Sequence, residues 1–229
     1  MADRIKLLRN VALVTFASYI ESAVGLLAGI LIARSLGPDA YGHYAYSIWL
    51  CGVLVLVGNN ALTTSSIKFL AELRGAQKYD VAAVLVHKLK RWQVMSSGLV
   101  LLAFTAWCLM SPVTDWDTLF GPMLSITLLA VWARSGFWVH GAIGKGYELF
   151  APENVALAVM AILNLVLTVS VVWLGGGIVH FFAVYGVLGL SMNLQVRWAL
   201  RRAGVRGQAG ALPQDLWLRL RRHLMLTGV

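Results

Sequence analysis

Apolar runs of about twenty residues alternate with short polar breaks along almost the whole chain. At about 1.5 Å per residue, such a run crosses the roughly 30 Å hydrocarbon core of a bilayer as a helix. The strict alternation of apolar and polar positions that marks strands is absent from the sequence. The pattern therefore predicts an all-α polytopic membrane protein with six transmembrane helices. The predicted spans cover about residues 11–33, 41–62, 93–110, 119–141, 154–173 and 178–200.

The break between the first two runs predicts a tight hairpin. It reads Ala-Arg-Ser-Leu-Gly-Pro-Asp-Ala-Tyr-Gly over residues 33–42. Pro38 follows Gly37 directly, and a proline lacks the backbone N–H that a continuing helix needs. Two apolar runs joined by so short a turn are typical of a transmembrane hairpin.

Composition supports the membrane assignment. Hydrophobic residues make up 59% of the chain and charged residues only 13%, and the mean hydropathy is +0.74. Soluble domains carry about 25% charged residues. A net charge of +9 would suggest nucleic acid in a soluble protein, but here the basic residues are grouped between apolar runs. We therefore expect a lipid bilayer, and no nucleic acid, as the partner.

The distribution of charge also predicts the orientation. Of the 19 basic residues, all but Arg34 fall in four places: the N-terminal tail, the segment between spans 2 and 3, span 4 with its following loop, and the C-terminal region. The opposite loops carry Asp39, Asp115 and Asp117, or a run of glycines. Basic residues accumulate on the cytoplasmic side of membrane proteins, so both termini are expected in the cytoplasm.

Three segments outside the spans differ from them in character. Residues 80–92 and 213–226 combine apolar with basic positions, which predicts amphipathic helices at the membrane surface. Residues 203–211 contain three glycines and indicate a flexible linker. The chain thus divides into a six-helix lobe over residues 1–202 and a cytoplasmic linker with an amphipathic helix over residues 203–229.

Glu21 lies in the middle of the first span, where a charged group costs about 2.5–3.5 kcal/mol. Its neighbours along the helix are mostly small, and Gly25 and Gly29 form a GxxxG pair on the same side. We expect this face to meet another helix or a water-filled cavity. Two roles remain open for Glu21: an ion- or proton-coupling carboxylate, or a protonated acid hydrogen-bonded to a neighbouring helix.

Four further residues within the spans are candidates for binding substrate or ions. Asn59 and Asn60 lie at the end of span 2, where the lining of a cavity is favoured over hydrogen bonds between helices. Arg134 in span 4 keeps its charge and can hold a phosphate through two hydrogen bonds. The alternative for Arg134 is snorkelling to the interface. Trp138 follows Arg134 one helical turn later and is the fourth candidate.

Several functional classes find no support in the sequence. It contains no P-loop, no zinc-binding spacing, no nucleophile elbow and no close pair of carboxylates, and its five histidines are scattered. Cys51 and Cys108 lie inside apolar runs, as expected for buried packing residues. We expect no enzymatic activity, no metal site and no cofactor.

Two phrases of the sequence carry a family resemblance. Residues 32–50, "IARSLGPDAYGHYAYSIWL", resemble the end of helix 1 and the start of helix 2 in polysaccharide (O-antigen-type) flippases. Residues 59–73, "NNALTTSSIKFLAEL", add to the resemblance. These flippases belong to the multidrug/oligosaccharidyl-lipid/polysaccharide exporter superfamily. The chain corresponds to the N-terminal half of such a protein, with its C-terminal amphipathic segment leading towards a seventh helix.

The resemblance implies a function in polysaccharide biosynthesis and export. Proteins of this kind move undecaprenyl-pyrophosphate-linked glycans across the bacterial inner membrane by alternating access, between two lobes that enclose a polar cavity. It further implies a multi-pass protein of that membrane, a lipid-linked oligosaccharide as the substrate, and a second lobe as the partner. The second lobe would be another copy of the chain or a separately encoded half.

Two alternatives remain open. One is a multidrug or cation antiporter of the same superfamily, with Glu21 as the coupling site. The other is a non-transporting membrane subunit or a truncated product, because the sequence corresponds to one lobe. The sequence predicts neither the substrate nor the coupling ion.

Overall fold

The computed structural model describes residues 2–110 and 119–227, with their side chains from residue 14 onward except at residues 17, 60 and 227. Every regular element among these residues is an α-helix, which confirms the all-α class. The helices are α1 Ala2–Gly75, α2 Tyr79–Met110, α3 Phe120–Gly146, α4 Ala151–Trp173, α5 Ile178–Arg202 and α6 Gln214–Thr227. The predicted loop with Asp115 and Asp117 lies outside the described residues.

Five stretches of helix are long and apolar enough to cross a membrane, as expected for a multi-pass membrane protein. Four of them are the helices α2 to α5, and the fifth is Val14–Asn59 within α1. The sequence pattern predicts six spans because it separates the first two runs. In the structure these two runs are two helical stretches that meet at a kink at Gly37, with no loop between them, and α1 includes both. If straight, these 46 residues would rise about 69 Å, roughly twice the thickness of the bilayer core.

Gly37 makes the bend in α1. Its φ of 76° and ψ of 172° form a backbone conformation that is essentially restricted to glycine. Pro38 follows, and its missing N–H removes a hydrogen bond that would straighten the helix. The predicted break is therefore present at the expected residues. We call residues 2–36 the first arm of α1 and residues 38–75 the second arm.

α2 is one continuous helix, so the prediction of a separate surface helix over residues 80–92 is wrong. Ala82, Leu85 and Leu89 are completely buried. They recur at helical spacing and pack in a core that also contains residues of α1, α5 and α6. An apolar stripe beside basic residues indicates an amphipathic helix, but it does not tell whether a membrane or other helices cover the stripe.

α3 lies at the centre of the bundle and packs on α1, α2 and α5. Glycines let two of these neighbours approach closely. A Cβ at Gly146 would lie 2.7 Å from the Cβ of Leu70 in α1, and one at Gly136 would lie 2.5 Å from the amide nitrogen of Asn193 in α5. Small residues at helix contacts are common in membranes, where close packing replaces the hydrophobic effect as the source of association.

Two apolar cores occupy opposite ends of the bundle. One surrounds Phe69 and Leu200 and joins the last turns of α1, α3 and α5 to the first turns of α2 and to α6. The other surrounds Ile32 and Phe182, next to the bend in α1 and the turn between α4 and α5. Most basic residues of the described chain lie at the first of these ends, which we call the basic end.

The segment between α5 and α6, which the sequence predicts to be a flexible linker, contacts α2. The backbone N–H of Gln208 donates to the carbonyl of Ala83 over 3.1 Å. A Cβ at Gly207 would lie 3.0 Å from the backbone of His87, so this glycine permits the close contact. Val205 is buried in the core of the basic end.

α6 is the predicted C-terminal amphipathic helix, and it runs antiparallel to the second arm of α1. Ser65 Oγ contacts His223 Nδ1 at 3.1 Å, and Arg219 donates to a carboxylate oxygen of Glu72 over 2.7 Å. Leu220 on the same helix is completely buried. The apolar stripe of α6 is therefore covered by α1, while its other faces are exposed.

Candidate functional site

A cavity of about 330 Å³ lies between both arms of α1 and the helices α3, α4 and α5. It is lined by two of the predicted candidates, Glu21 and Arg134. Ile48 on the second arm also lines it, although an unbroken helix would place Ile48 about 40 Å from Glu21. The bend at Gly37 therefore brings the two arms to one site.

Arg134 projects into this cavity from the central helix α3. Its guanidinium lies over the ring of Tyr185, 3.8 Å from the ring centre, so the aromatic face stabilises and orients the cation. Its Nε is buried and has no hydrogen-bond partner among the described residues. Gly189 faces the side-chain stem, where a Cβ would lie 3.2 Å from Arg134 Cγ. The site thus holds a fixed cation with one buried donor, Nε, that is not used by the described residues.

Glu21 lies on the first arm, at the open side of the cavity, and its side chain is exposed. Gly25, Ala28 and Gly29 line the cavity beside it, as the small face of this helix suggests. No ion pair joins Glu21 to Arg134 in the described part of the chain. The cavity therefore contains a carboxylate and a guanidinium that do not neutralise each other by direct contact.

Further polar groups of the cavity were not singled out by the sequence. Tyr41, Tyr44 and Tyr185 line it, and so does Asn164 of α4. Tyr41 and Tyr44 are three residues apart on one helical face, with their ring centres 6.2 Å apart. That spacing is the signal that could have revealed them.

Asn59 lies elsewhere in the bundle and is buried. Its amide nitrogen donates to the carbonyl of Ser135 over 2.9 Å, and Ser135 Oγ donates to Asn59 Oδ1 over 2.8 Å. Gln93 Nε2 donates to the same Ser135 Oγ over 3.1 Å. Asn59 therefore joins α1 to α3 and α2 in a buried polar network, and it is not among the cavity-lining residues.

Trp138 is not among the residues that line the cavity. Trp138 is 42% exposed and meets the ring of Phe137 edge-on, with the ring centres 5.4 Å apart. The side chain of Asn60 lies outside the described part of the structure. Of the five candidates from the sequence, Glu21 and Arg134 are thus brought together.

The chain matches no protein-family model, no curated protein and no solved structure.

The cavity offers both charged and neutral hydrogen-bonding groups. Its volume of about 330 Å³ falls at the lower end of the roughly 300–1,000 Å³ that is usual for small-molecule sites. Arg134 can hold an anionic group, and the phenolic hydroxyls and the amide of Asn164 can bind hydroxyl groups. Among the described residues, no group of three or more His, Cys, Asp or Glu is placed to hold a metal ion.

Proposed function

We propose that the chain forms one lobe of a flippase for lipid-linked oligosaccharides, and that Arg134 binds the pyrophosphate of the substrate. The observation that carries this proposal is the cation of Arg134 in a cavity, stacked on Tyr185 and with an unpartnered buried Nε. A guanidinium presents donors in a planar fork that matches phosphate oxygens. The sequence resemblance to polysaccharide flippases supports the same function.

Transport requires the cavity to lie within the membrane. In the proposed topology each arm of α1 crosses the bilayer once, and α2 to α5 add four crossings, so that six helices span it. The basic end faces the cytoplasm of a bacterial inner membrane, because basic residues remain on that side. Both termini are then cytoplasmic, and Arg134 lies about 18 Å along α3 from its cytoplasmic end at Gly146, near the middle of the membrane.

Alternating access requires a second lobe over the open side of the cavity. Glu21 is exposed there, and hydrocarbon offers a carboxylate no hydrogen-bond partner. We infer that a second copy or a separately encoded half covers this face. A Glu21→Cys variant tests the first case. We expect a disulfide between copies in membranes, and a chain that stays monomeric and uncrosslinked would contradict self-pairing.

The position of Glu21 favours a second candidate function, a multidrug or cation antiporter of the same superfamily. Its carboxylate lines the cavity and makes no ion pair in the described structure. A carboxylate of this kind can exchange a proton for a cation as the cavity opens to alternate sides. In that case a cationic dye would be transported and a lipid-linked sugar would not.

The deciding experiment measures flipping of a pyrophosphate-linked oligosaccharide in vesicles that contain the chain with its partner lobe. We expect Arg134→Gln to reduce the rate at least tenfold, because the charge that holds the phosphate is lost. Arg134→Lys should retain part of the activity, because lysine keeps the positive charge but lacks the planar fork of donors. Arg221→Gln, an exposed change on α6, is the matched control.

Two outcomes would contradict the proposal. Wild-type flipping with Gln at position 134 would exclude the phosphate role of Arg134. If the wild-type chain moves only a dye, and Glu21→Gln stops that transport at an unchanged protein level, the antiporter function would replace the flippase function.

A further inference from the structure

A second, smaller pocket of about 100 Å³ lies on a different side of the bundle from the cavity. α2 and α5 both pack on α3, so that α3 forms the floor of a groove between them. Lys90 of α2 and Arg197 of α5 stand on opposite walls of this groove, with His140 of α3 between them. It shares no lining residue with the cavity that contains Arg134.

The pocket has an excess of positive charge. Arg197 and Arg201 lie close enough to Lys90 to repel its positive charge. Lys90 and Arg197 likewise lie close enough to His140 to repel a positive charge on its ring. Among the residues that the structure describes, no acidic side chain lines the pocket. In the described part of the chain, neither Lys90 nor Arg197 forms an ion pair. A half-buried lysine beside two arginines is unfavourable unless an anion compensates the charges.

Neutral donors complete the same pocket. His140 Nδ1 contacts two oxygens, the carbonyl of Gly136 at 2.6 Å and Oδ1 of Asn193 at 3.0 Å, so this nitrogen carries the proton. Asn193 Oδ1 is thereby occupied, and its amide NH₂ remains able to donate into the pocket. The pocket thus presents two cations and an amide donor, a set suited to the oxygens of one phosphate group.

The depth of the two cations in the bundle matches a lipid headgroup. From Lys90 to the end of α2 at Met110 the helix rises about 30 Å, and from the start of α5 at Ile178 to Arg197 it rises about 28 Å. The hydrocarbon core of a bilayer is about 30 Å thick. If Met110 and Ile178 lie at one surface of the membrane, Lys90 and Arg197 therefore lie at the opposite surface, at the level of the lipid phosphate groups.

The side of the pocket towards the middle of the bundle is apolar. Val94 and Trp132 line it there, and they are 53% and 39% exposed. An acyl chain attached to a phosphate bound between the cations would lie against these two side chains. Charge on one side and apolar surface on the other therefore favour a lipid over a soluble anion.

We propose that this groove is a binding site for an anionic phospholipid of the inner leaflet. Lys90, Arg197 and Asn193 bind its phosphate, and an acyl chain lies against Val94 and Trp132. The site is separate from the transport cavity, so it stands whether or not the chain is a flippase. A lipid bound there bridges α2 and α5 and neutralises the charges that repel each other across the groove.

The test uses the purified full chain in phosphatidylcholine vesicles that contain a small, varied fraction of phosphatidylglycerol with brominated acyl chains. Bromine quenches tryptophan fluorescence at contact, and the difference between wild type and Trp132→Phe isolates the signal of Trp132. We expect that signal to be quenched at a low fraction of brominated phosphatidylglycerol. Brominated phosphatidylcholine at the same fraction should quench it much less.

Charge variants assign the effect to the pocket. The half-quenching fraction is the fraction of brominated phosphatidylglycerol at which half of the Trp132 signal is quenched. Each basic residue contributes about a fivefold change in lipid affinity. The double variant Lys90→Gln/Arg197→Gln should therefore raise the half-quenching fraction roughly thirtyfold. Arg221→Gln with Arg222→Gln removes the same charge from the exposed face of α6 and should change nothing. If the double variant does not fold, Arg197→Gln alone, at an exposed residue, should still give about a fivefold change.

Three results would overturn the proposal. The first is equal quenching by the two brominated lipids, and the second is an unchanged half-quenching fraction in Arg197→Gln. The third is full reversal of quenching by inorganic phosphate, with sodium chloride of equal ionic strength having no effect. That last result would assign the pocket to a soluble anion instead of a lipid.

Discussion

Asn59 connects three helices through one serine. Its amide donates to the Ser135 carbonyl and accepts from the Ser135 hydroxyl, which also accepts a hydrogen bond from Gln93. All of these side chains are buried, so each donor and acceptor depends on the others for a partner. Asn164 has the same side chain but lines the cavity, where water or a ligand can satisfy it.

The two asparagines should respond differently to the same change. Asn59→Ala removes the two hydrogen bonds between Asn59 and Ser135 and is expected to reduce stability by about 1 kcal/mol, or about 3 °C in the unfolding temperature. Asn164→Ala should leave stability nearly unchanged and alter substrate binding instead. Thermal unfolding in detergent measures both variants. An equal loss of stability in the two would contradict the division into structural and cavity residues.

At the scale of an element, the bend in α1 decides whether a cavity exists. Gly37 holds a φ of 76° with a ψ of 172°, and residues on both sides of it line the same site. Side chains larger than hydrogen strain this conformation by about 1–3 kcal/mol. The helix would then gain by straightening, which would separate Glu21 from the second arm.

Substitution of two glycines in α1 tests the bend. Gly37→Ala is expected to lower stability by about 1–3 kcal/mol and to reduce transport. Gly42→Ala, five residues later, meets nothing within 4 Å and has no positive φ, so it should be neutral or stabilising by up to about 1 kcal/mol. Thermal unfolding and transport are measured for both. Two variants of equal stability would show that the bend does not depend on glycine.

At the scale of the whole molecule, the two ends of the bundle differ in charge. The last turns of α1, α3 and α5 carry basic residues and meet around one apolar core, together with the basic helix α6. The other end has its own apolar core and few charged residues among those described. In a membrane this difference favours the basic end on the cytoplasmic side.

Accessibility of two introduced cysteines tests this orientation. Gly75 and Gly177 lie near opposite ends, and a Cβ at either meets nothing within 4 Å. The native Cys51 and Cys108 are buried and are replaced by alanine. We expect Gly75→Cys to react with a membrane-impermeant thiol reagent only from the cytoplasm, and Gly177→Cys only from outside. The reverse pattern would refute the orientation, and labelling of both from one side would refute the spans.

The sequence by itself determined the helical membrane class, the position of the bend at Gly37, and the difference in charge between the two groups of helix ends. Each of these depends on a local run of residues: apolar length, a glycine followed by a proline, or grouped lysines and arginines. The helix boundaries in the structure differ from the predicted ones mainly where an apolar stripe continues past the predicted span, as at residues 80–92. Local patterns of this kind are visible without any knowledge of neighbours.

Only the tertiary structure decided which polar residues meet. Asn59 and Asn164 are both asparagines within apolar helices, yet one binds Ser135 and the other lines the cavity. Lys90 and Arg197 are far apart in the sequence and share a pocket because both of their helices pack on α3. The physical reason is that a helix turns each side chain to a fixed direction, while the partner in that direction depends on how distant helices pack.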